Sequence, residues 1–401
     1  MGPNNTKKRK RDSAAPSAQT SSADAVDTSK PTAVFQPSKG RPWTVSVALP
    51  GSIIANAQTP ELKTILAGQV ARALAVFCVD EVVIFDDGYQ ATHTEKHNKW
   101  RQGRRPQADN YSDNYEENNG EKHVYTGYSD PNHYLTQLLS YLETPPHLRK
   151  HLFPFHPNLS TAGILPSLDM PHHLRPYEWC QYREGVTVED SYSYSHKPNS
   201  KKTTAETVIE SGLRNRVTIP ASIPPNTRVT LKFPDSISAV PESQDMPITA
   251  EVVSPDAPRE EAGYYWGYAL RPASSLSAVF TECGYDGGYD VTLGTSERGR
   301  PFSELTRPSV SGQEDDGAGA GAGAVPTDFR HLLIVFGGVA GLEVAVKADK
   351  ELSGMGVTQP EELFDYWVNL CPGQGSRTIR TEEAVWIGLM GLRDIVLRNT
   401  L

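Results

Sequence analysis

Cysteine is scarce in this chain of 401 residues. The four present, Cys78, Cys180, Cys283 and Cys371, lie far apart and form no CxxC pair. That spacing argues against a disulfide framework or a cysteine-based zinc site and suits a reducing compartment. Long apolar runs are missing as well. None could span a bilayer, and the N-terminus lacks the apolar core of a signal peptide. Positive charge is in deficit: 39 Lys and Arg stand against 48 Asp and Glu, a formal charge of −9. No global basic field draws nucleic acid, so any such affinity must come from local patches. Apolar residues make up only 37% of the chain, and mean hydropathy is −0.48. Part of the length is therefore expected to be disordered, and the rest exceeds one compact unit.

Residues 1–40 show no hydrophobic period and read as a disordered tail. Lys7-Lys8-Arg9-Lys10-Arg11 within it matches a nuclear import signal, with a solvated basic arm as the alternative. From 41 to 184 the pattern is α/β. Thr44–Gly51 is strand-like and then turns. Thr59-Pro60-Glu61 starts a helix with a capping hydroxyl, a proline and an acid, and Leu62, Ile65, Leu66, Ala73, Leu74 and Phe77 follow at helical spacing. Glu81–Asp86 is a second strand, so the unit is a parallel βαβ. Residues 88–130 are a polar insertion, and 131–153 resume as helix. His147 and His151 have metal-ligand spacing, with His156, His172 and His173 nearby. No further ligand set accompanies them, so the reading is no metal.

Between 185 and 262 short alternating runs predict a small all-β module: Gly185–Glu189, Arg216–Ile219, Thr227–Phe233 and Ile248–Val253. Residues 263–401 return to α/β, with Tyr264–Leu270 and Tyr289–Thr295 as strands and Ser274–Glu282 as a helix. The stretch 308–327 is a flexible Gly/Ala-rich loop. Thr381 is the expected cap of a last helix whose apolar stripe is Val385, Leu389, Leu392 and Val396.

Three segments carry chemistry. The first is Gly294-Thr295-Ser-Glu-Arg298-Gly299. The second, Phe336-Gly337-Gly338-Val-Ala-Gly341-Leu342-Glu343, follows the apolar run His331–Phe336. The third runs from Asn369-Leu370-Cys371-Pro-Gly373-Gln374-Gly375 through Ile379 and Thr381 to Ala384. Glycines just after a buried strand let backbone amides approach a ligand, since no Cβ intervenes. Gly-Gly-x-x-Gly alone could be a structural turn. It is not a Rossmann fingerprint: it lies late, lacks the first spacing and ends at a strand-like Leu342–Val346. It is not a P-loop either, because no Lys-Ser or Lys-Thr follows. Arg298 could hold a phosphate or stabilise a developing base anion, or it could be a loop ion pair with Glu297 or Glu343. Glu343 and Glu382 are candidate bases, the latter weakened by its helix-start position.

These segments closely resemble the cofactor loops of the SPOUT methyltransferases, in the eukaryotic–archaeal branch with an OB-like insertion. The resemblance covers the ordered chain from Trp43 onward, apart from the two polar insertions. It implies an α/β fold with a parallel sheet knotted as a trefoil near the C-terminus, an inserted OB-like barrel, and a homodimer with its site near the interface. It implies S-adenosylmethionine bound at Thr295, Arg298, Phe336, Gly337, Gly338, Gly341, Asn369, Leu370, Cys371, Gly373, Gln374, Gly375, Ile379 and Thr381. Arg298 and Glu343 are the expected catalytic pair. The expected activity is methylation of a base in structured RNA, ribosomal RNA foremost, in the nucleus or nucleolus, with uridine N3 as one acceptor. The alternatives are a non-catalytic RNA-binding assembly factor and a 2′-O-ribose methyltransferase. Two places suit RNA contact. One is the aromatics Tyr177, Trp179, Tyr182, Tyr264, Tyr265, Trp266 and Tyr268, although such residues are more often the packed junction between two domains. The other is the basic set Lys201, Lys202, Arg214, Arg216, Arg228 and Lys232.

Overall fold

Thr44–Pro50 (β1) is buried at all seven residues, as is Glu81–Phe85 (β2) at its five. Strands covered on both faces read as continuous apolar runs and belong at the centre of a parallel sheet. The computed structural model describes residues 39–89, 115–116, 122–189, 206–241, 247–305, 324–338, 340–399 and 401. The basic run at 7–11, most of the 88–130 insertion, Lys201, Lys202 and most of the Gly/Ala-rich stretch lie outside them.

The helix between β1 and β2 is Pro60–Val76 (α1), with the Thr59 hydroxyl accepting from Leu62 N–H at 3.3 Å. Pro131–Glu143 (α2) buries Tyr134, Leu135, Leu138, Leu139 and Leu142. The single helix expected over 131–153 is two, because Thr144-Pro145 separates α2 from Pro146–Leu152 (α3). A residue before proline leaves the helical region and proline supplies no amide donor.

A second sheet follows: Tyr182–Val188 (β3), Thr207–Glu210 (β4), Val217–Ile219 (β5), Arg228–Lys232 (β6), Ile248–Thr249 (β7) and Glu251–Val253 (β8). β7 pairs with β5 at one edge, and β8 pairs with β6 at the other. Only Ala250 separates β7 from β8, so one short segment serves both edges and the sheet nearly closes into a barrel. β4 had no sequence expectation. Four residues after a long polar stretch give too few alternations to read.

The chain then passes through Ala257–Ala262 (α4) to Ala269–Ala273 (β9), Leu276–Thr281 (α5) and Val291–Pro301 (β10). The strand expected at Tyr264–Leu270 begins only at Ala269. Gly267, at φ +89°, turns the chain there. Tyr265, Trp266 and Tyr268 are aromatic because they are buried, at 4%, 8% and 4% exposure, and not because they are extended. His331–Val335 (β11), Glu343–Ala348 (α6), Lys350–Met355 (α7), Tyr366–Asn369 (β12) and Thr381–Arg398 (α8) complete the chain. The strand-like Leu342–Val346 is thus the start of helix α6, a reminder that short apolar runs fit either state.

The first sheet is parallel throughout, in the order β9-β2-β1-β11-β10-β12. The α8 stripe Val385, Leu389, Leu392 and Val396 is buried in this domain's own core, together with α1. The exposed apolar residues of these two helices are others: Leu62, Ile65 and Val76 on α1, and Trp386, Ile387, Met390 and Leu397 on α8. Leu62 and Ile65, expected on the packed stripe of α1, therefore face out.

A buried polar network fastens the barrel to the sheet domain. Arg228 of β6 donates to both oxygens of Glu143 on α2, at 2.6 and 3.0 Å, and to Glu184 of β3 at 2.6 Å. Trp266 Nε1 donates to Glu184 at 2.8 Å, and His172 Nε2 meets Glu143 Oε1 at 2.8 Å. The Arg228 guanidinium and the His172 hydrogen bond offset the burial of Glu143 and hold its carboxyl well below the usual range. Burial pushes His173 down to about 3 and His147 to about 4. Below about pH 6.5 the unfolded chain protonates these imidazoles while the fold keeps them neutral, so stability must fall as pH falls. The midpoint of thermal unfolding should drop between pH 7 and pH 5. His173→Asn should flatten that slope, and an unchanged slope would exclude His173 as a contributor.

Candidate functional site

The carboxyl ends of β10, β11 and β12 meet at one edge of the parallel sheet, where such folds place ligands. Three hydrogen bonds tie the loops that leave them. Thr295 Oγ1 donates to the Val335 carbonyl at 3.0 Å, and Asn369 Nδ2 donates to the Glu297 carbonyl at 2.8 Å. Thr381 Oγ1 donates to the Gly337 carbonyl at 2.9 Å. Thr381 is thus not the cap of α8. Arg380 holds that position, its N–H bound by the Glu383 carboxylate at 2.9 Å, and the Thr381 hydroxyl joins the helix to the glycine loop.

The glycine loop folds tightly on itself, with Gly341 N–H bonded to the Gly338 carbonyl at 3.0 Å. A Cβ at Gly337 would lie 2.9 Å from the carbonyl carbon of Gly341. A Cβ at Gly338 would turn away toward Ser52 Oγ and Asp87 Oδ2, at 3.1 and 3.3 Å. Gly299 sits against the backbone of β12, where a Cβ would meet the Val368 nitrogen at 2.5 Å.

These loops enclose a cleft of about 470 Å³. Thr295, Arg298, Phe336, Gly337, Gly338, Gly341, Glu343, Asn369, Leu370, Cys371, Gln374, Ile379 and Thr381 all line it. Gly373 and Gly375 do not. Gly373, at φ +74°, shapes the turn instead. The cleft is also lined by Ser296, Glu297, Ala340, Lys347, Thr378, Ala384 and Ile387, which sequence reasoning had not named as contacts, although all but Lys347 and Ile387 lie within its three segments. Lys347 follows Glu343 by one helical turn, a spacing hidden while that segment was read as a strand. Ala384 and Ile387 stand one turn apart at the start of α8, on the side of the helix away from the stripe that periodicity picked out.

One wall is apolar, from Phe336, Leu370, Ile379, Ala384 and Ile387. The mouth is charged. Arg298 Nη1 lies 3.1 Å from Glu343 Oε1, with the side chains 73% and 27% exposed. An exposed pair of this kind contributes at most about 1 kcal/mol, so it opens at little cost. Glu382 is tied to Arg380 at 2.6 Å and does not line the cleft.

The aromatic set expected near the barrel is mostly junction. Tyr182, Tyr265, Trp266 and Tyr268 are buried, and Trp179 packs on Phe233 with ring centroids 5.0 Å apart. Arg228 is consumed by Glu143 and Glu184, and Lys232 pairs with Glu261. His147 Nε2 faces the Glu184 carbonyl at 3.4 Å. Among the described residues no group of three or more His, Cys, Asp or Glu could hold a metal ion.

A family model described as "Putative RNA methyltransferase" matches residues 44–392. The 28S rRNA (uridine-N(3))-methyltransferase of Mus musculus is 42% identical over 355 residues, 88% of this chain and 77% of that protein. Its counterpart of the same description in Homo sapiens is 41% identical, over 88% of this chain and 79% of that protein. The one in Drosophila melanogaster is 39% identical over 89% of this chain, which covers 63% of that longer protein.

The close packing makes the glycines separable. Gly337→Ala and Gly299→Ala should each destabilise the chain by about 1–3 kcal/mol, the usual cost of overpacking. A Cβ at Gly375 meets nothing within 4 Å, so Gly375→Ala should unfold at the same denaturant midpoint as the parent. Equal midpoints for all three would mean the loop yields freely.

Proposed function

This chain belongs to the RNA methyltransferase family so described, and on that premise we propose that it transfers a methyl group from S-adenosylmethionine to N3 of a uridine in large-subunit ribosomal RNA. The observation that carries the reading is the cleft. Three backbone-rich loops, an apolar wall and an exposed Arg–Glu pair converge at the carboxyl edge of a parallel sheet. The donor set fits the cofactor. The apolar wall suits a flat heteroaromatic ring, the glycine backbone offers amides and carbonyls at short range, and the charged mouth suits an amino-acid tail and a polar substrate.

Bound there, S-adenosylmethionine supplies an activated methyl group on sulfur, so the chain's own task is to bind, orient and move a proton. Uridine N3 carries a hydrogen that must leave before its electron pair can attack. Glu343 accepts that proton, and Arg298 stabilises the charge that spreads to the neighbouring carbonyl oxygens. Their mutual ion pair keeps both at the mouth until substrate separates them.

The knotted SPOUT fold is part of the proposal. Its support is the path of the chain, which leaves the outermost strand β12 and returns past β10 to bind the β11 loop through Thr381. The barrel is read as the OB-like insertion that helps to hold RNA, with Arg214 exposed on it, and the basic run at 7–11 as a nuclear import signal. A homodimer is proposed through the apolar face of α1 and α8. Met390 is 64% and Leu62 50% exposed there, and Ile387 of the same face lines the cleft.

Arg298→Ala should lower single-turnover methylation by roughly tenfold to a thousandfold, as for other single electrostatic donors, with little change in stability. Near-normal turnover would return the residue to a loop ion pair. Nucleoside mass spectrometry of ribosomal RNA from cells lacking the protein should show the loss of one N3-methyluridine, and an unaltered profile would overturn the substrate. In light scattering, Met390→Glu should yield a folded monomer. Leu389→Glu, at a position only 4% exposed, should unfold the chain instead. A parent protein that is monomeric at micromolar concentration would remove the dimer.

A further inference from the structure

Asp87 is a buried carboxylate with no cationic partner among the described residues. It follows β2 at the carboxyl edge of the sheet and is 5% exposed. Its Oδ2 accepts from the Ser52 hydroxyl at 2.5 Å, and its Oδ1 accepts from Tyr89 N–H at 3.2 Å. Among the described residues the other buried carboxylates are better compensated. Glu81 has Arg271, Glu143 and Glu184 share Arg228, and Glu382 has Arg380. Asp349 accepts from three backbone amides, at 2.8, 2.9 and 3.2 Å. Burial raises the Asp87 carboxyl above its ordinary value, a cost that the Ser52 hydrogen bond offsets only in part.

Its place gives that cost a purpose. Gly338 lines the cleft, and the Cβ it lacks would lie 3.3 Å from Asp87 Oδ2 and 3.1 Å from Ser52 Oγ. The backbone of one glycine therefore forms the wall between the carboxylate and the ligand space. A negative charge held in a low-dielectric wall acts over several ångströms, where water would screen it.

We propose that Asp87 is the fixed counter-charge for the sulfonium of the methyl donor, and that it makes the cleft prefer S-adenosylmethionine to the demethylated product. This rests on the cofactor reading given above. The donor carries a positive sulfur, and the product, S-adenosylhomocysteine, carries a neutral one. When the sulfur–carbon bond breaks, its electron pair stays on sulfur and the positive charge there is lost. The attraction to Asp87 is lost with it. The charge thus holds the loaded cofactor and lets the spent one go. Asp87 contributes to selection and product exit, and Arg298 and Glu343 keep their roles at the substrate.

Asp87→Asn tests this, because the amide is nearly isosteric and its oxygen still accepts from Ser52. Calorimetric titration of the full chain with each of the two ligands is the measurement. S-adenosylmethionine should bind roughly tenfold more weakly to the variant, the order expected of one partly screened charge pair, with S-adenosylhomocysteine nearly unchanged. Ser52→Ala keeps the charge and should keep the parent's ratio of the two affinities. Equal weakening of both ligands in Asp87→Asn, or of neither, would overturn the proposal. Should that variant fail to fold, the parent decides. An analogue of the product with a protonated amine in place of the sulfonium methyl should then bind more tightly than the neutral product, and equal affinities would overturn the proposal. A parent that binds neither nucleoside would defeat the cofactor reading itself, an outcome distinct from a lost preference.

Discussion

The close approach of the Phe336–Leu342 loop to its surroundings is the constraint on which the rest depends. Gly337 touches the backbone of Gly341, Gly338 lies on Ser52 and Asp87, and the Gly337 carbonyl takes the Thr381 hydroxyl. A Cβ at the first of these positions would clash within the loop itself, and at the second it would crowd the side chains at the ends of β1 and β2. Three strands and the terminal helix are thus referenced to one short backbone segment. The cleft is the space left beside that segment, and its shape is set by backbone rather than by mobile side chains. That suits a catalyst whose main contribution is orientation.

Electrostatics divides the molecule into parts that hold still and parts that give way. At the junction with the barrel, the buried carboxylates Glu143 and Glu184 share the partly exposed Arg228, so removing the arginine would leave buried charge uncompensated. At the mouth of the cleft, Arg298 is well solvated and Glu343 partly so, and their pair is weak. The first arrangement fixes the barrel against the sheet domain, and the second can be rearranged by a ligand. The same residue types serve opposite ends because burial, not chemistry, sets the strength of an ion pair. This corrects a composition-based view of the barrel: Arg228 is committed to two buried carboxylates of the chain itself, and Lys232 pairs at the surface with Glu261.

Much of the architecture was legible in the sequence. β1, β2 and β11 are runs apolar enough to require burial on both faces, and Thr59-Pro60 starts α1 where capping chemistry demands. The three loop segments were identifiable by their glycines and by resemblance, and thirteen of the residues so named line one cleft. The failures share a physical cause. Leu342–Val346 and Tyr264–Leu270 are short apolar runs whose composition reports burial, and burial is common to strand, helix and packed loop. Where the run was long, as in α8, periodicity found the stripe but could not say what it faced. Val385 and Leu389 pack on their own domain, and Trp386, Ile387 and Met390 are left outside.

The sequence by itself determined which segments are strands and helices wherever period, caps and glycines agreed, because those are local properties of the backbone. Only the tertiary structure decided which side chains meet, and for Arg298 it chose Glu343 from the partners the sequence had left open. The pairing of Arg298 with Glu343 spans 45 positions, that of Ser52 with Asp87 spans 35, and that of Arg228 with Glu143 spans 85. No local signal encodes such distances. They follow from the order in which parallel strands lie side by side, which brings the ends of β10, β11 and β12 to one edge and sets a buried acid behind a glycine of the cleft wall.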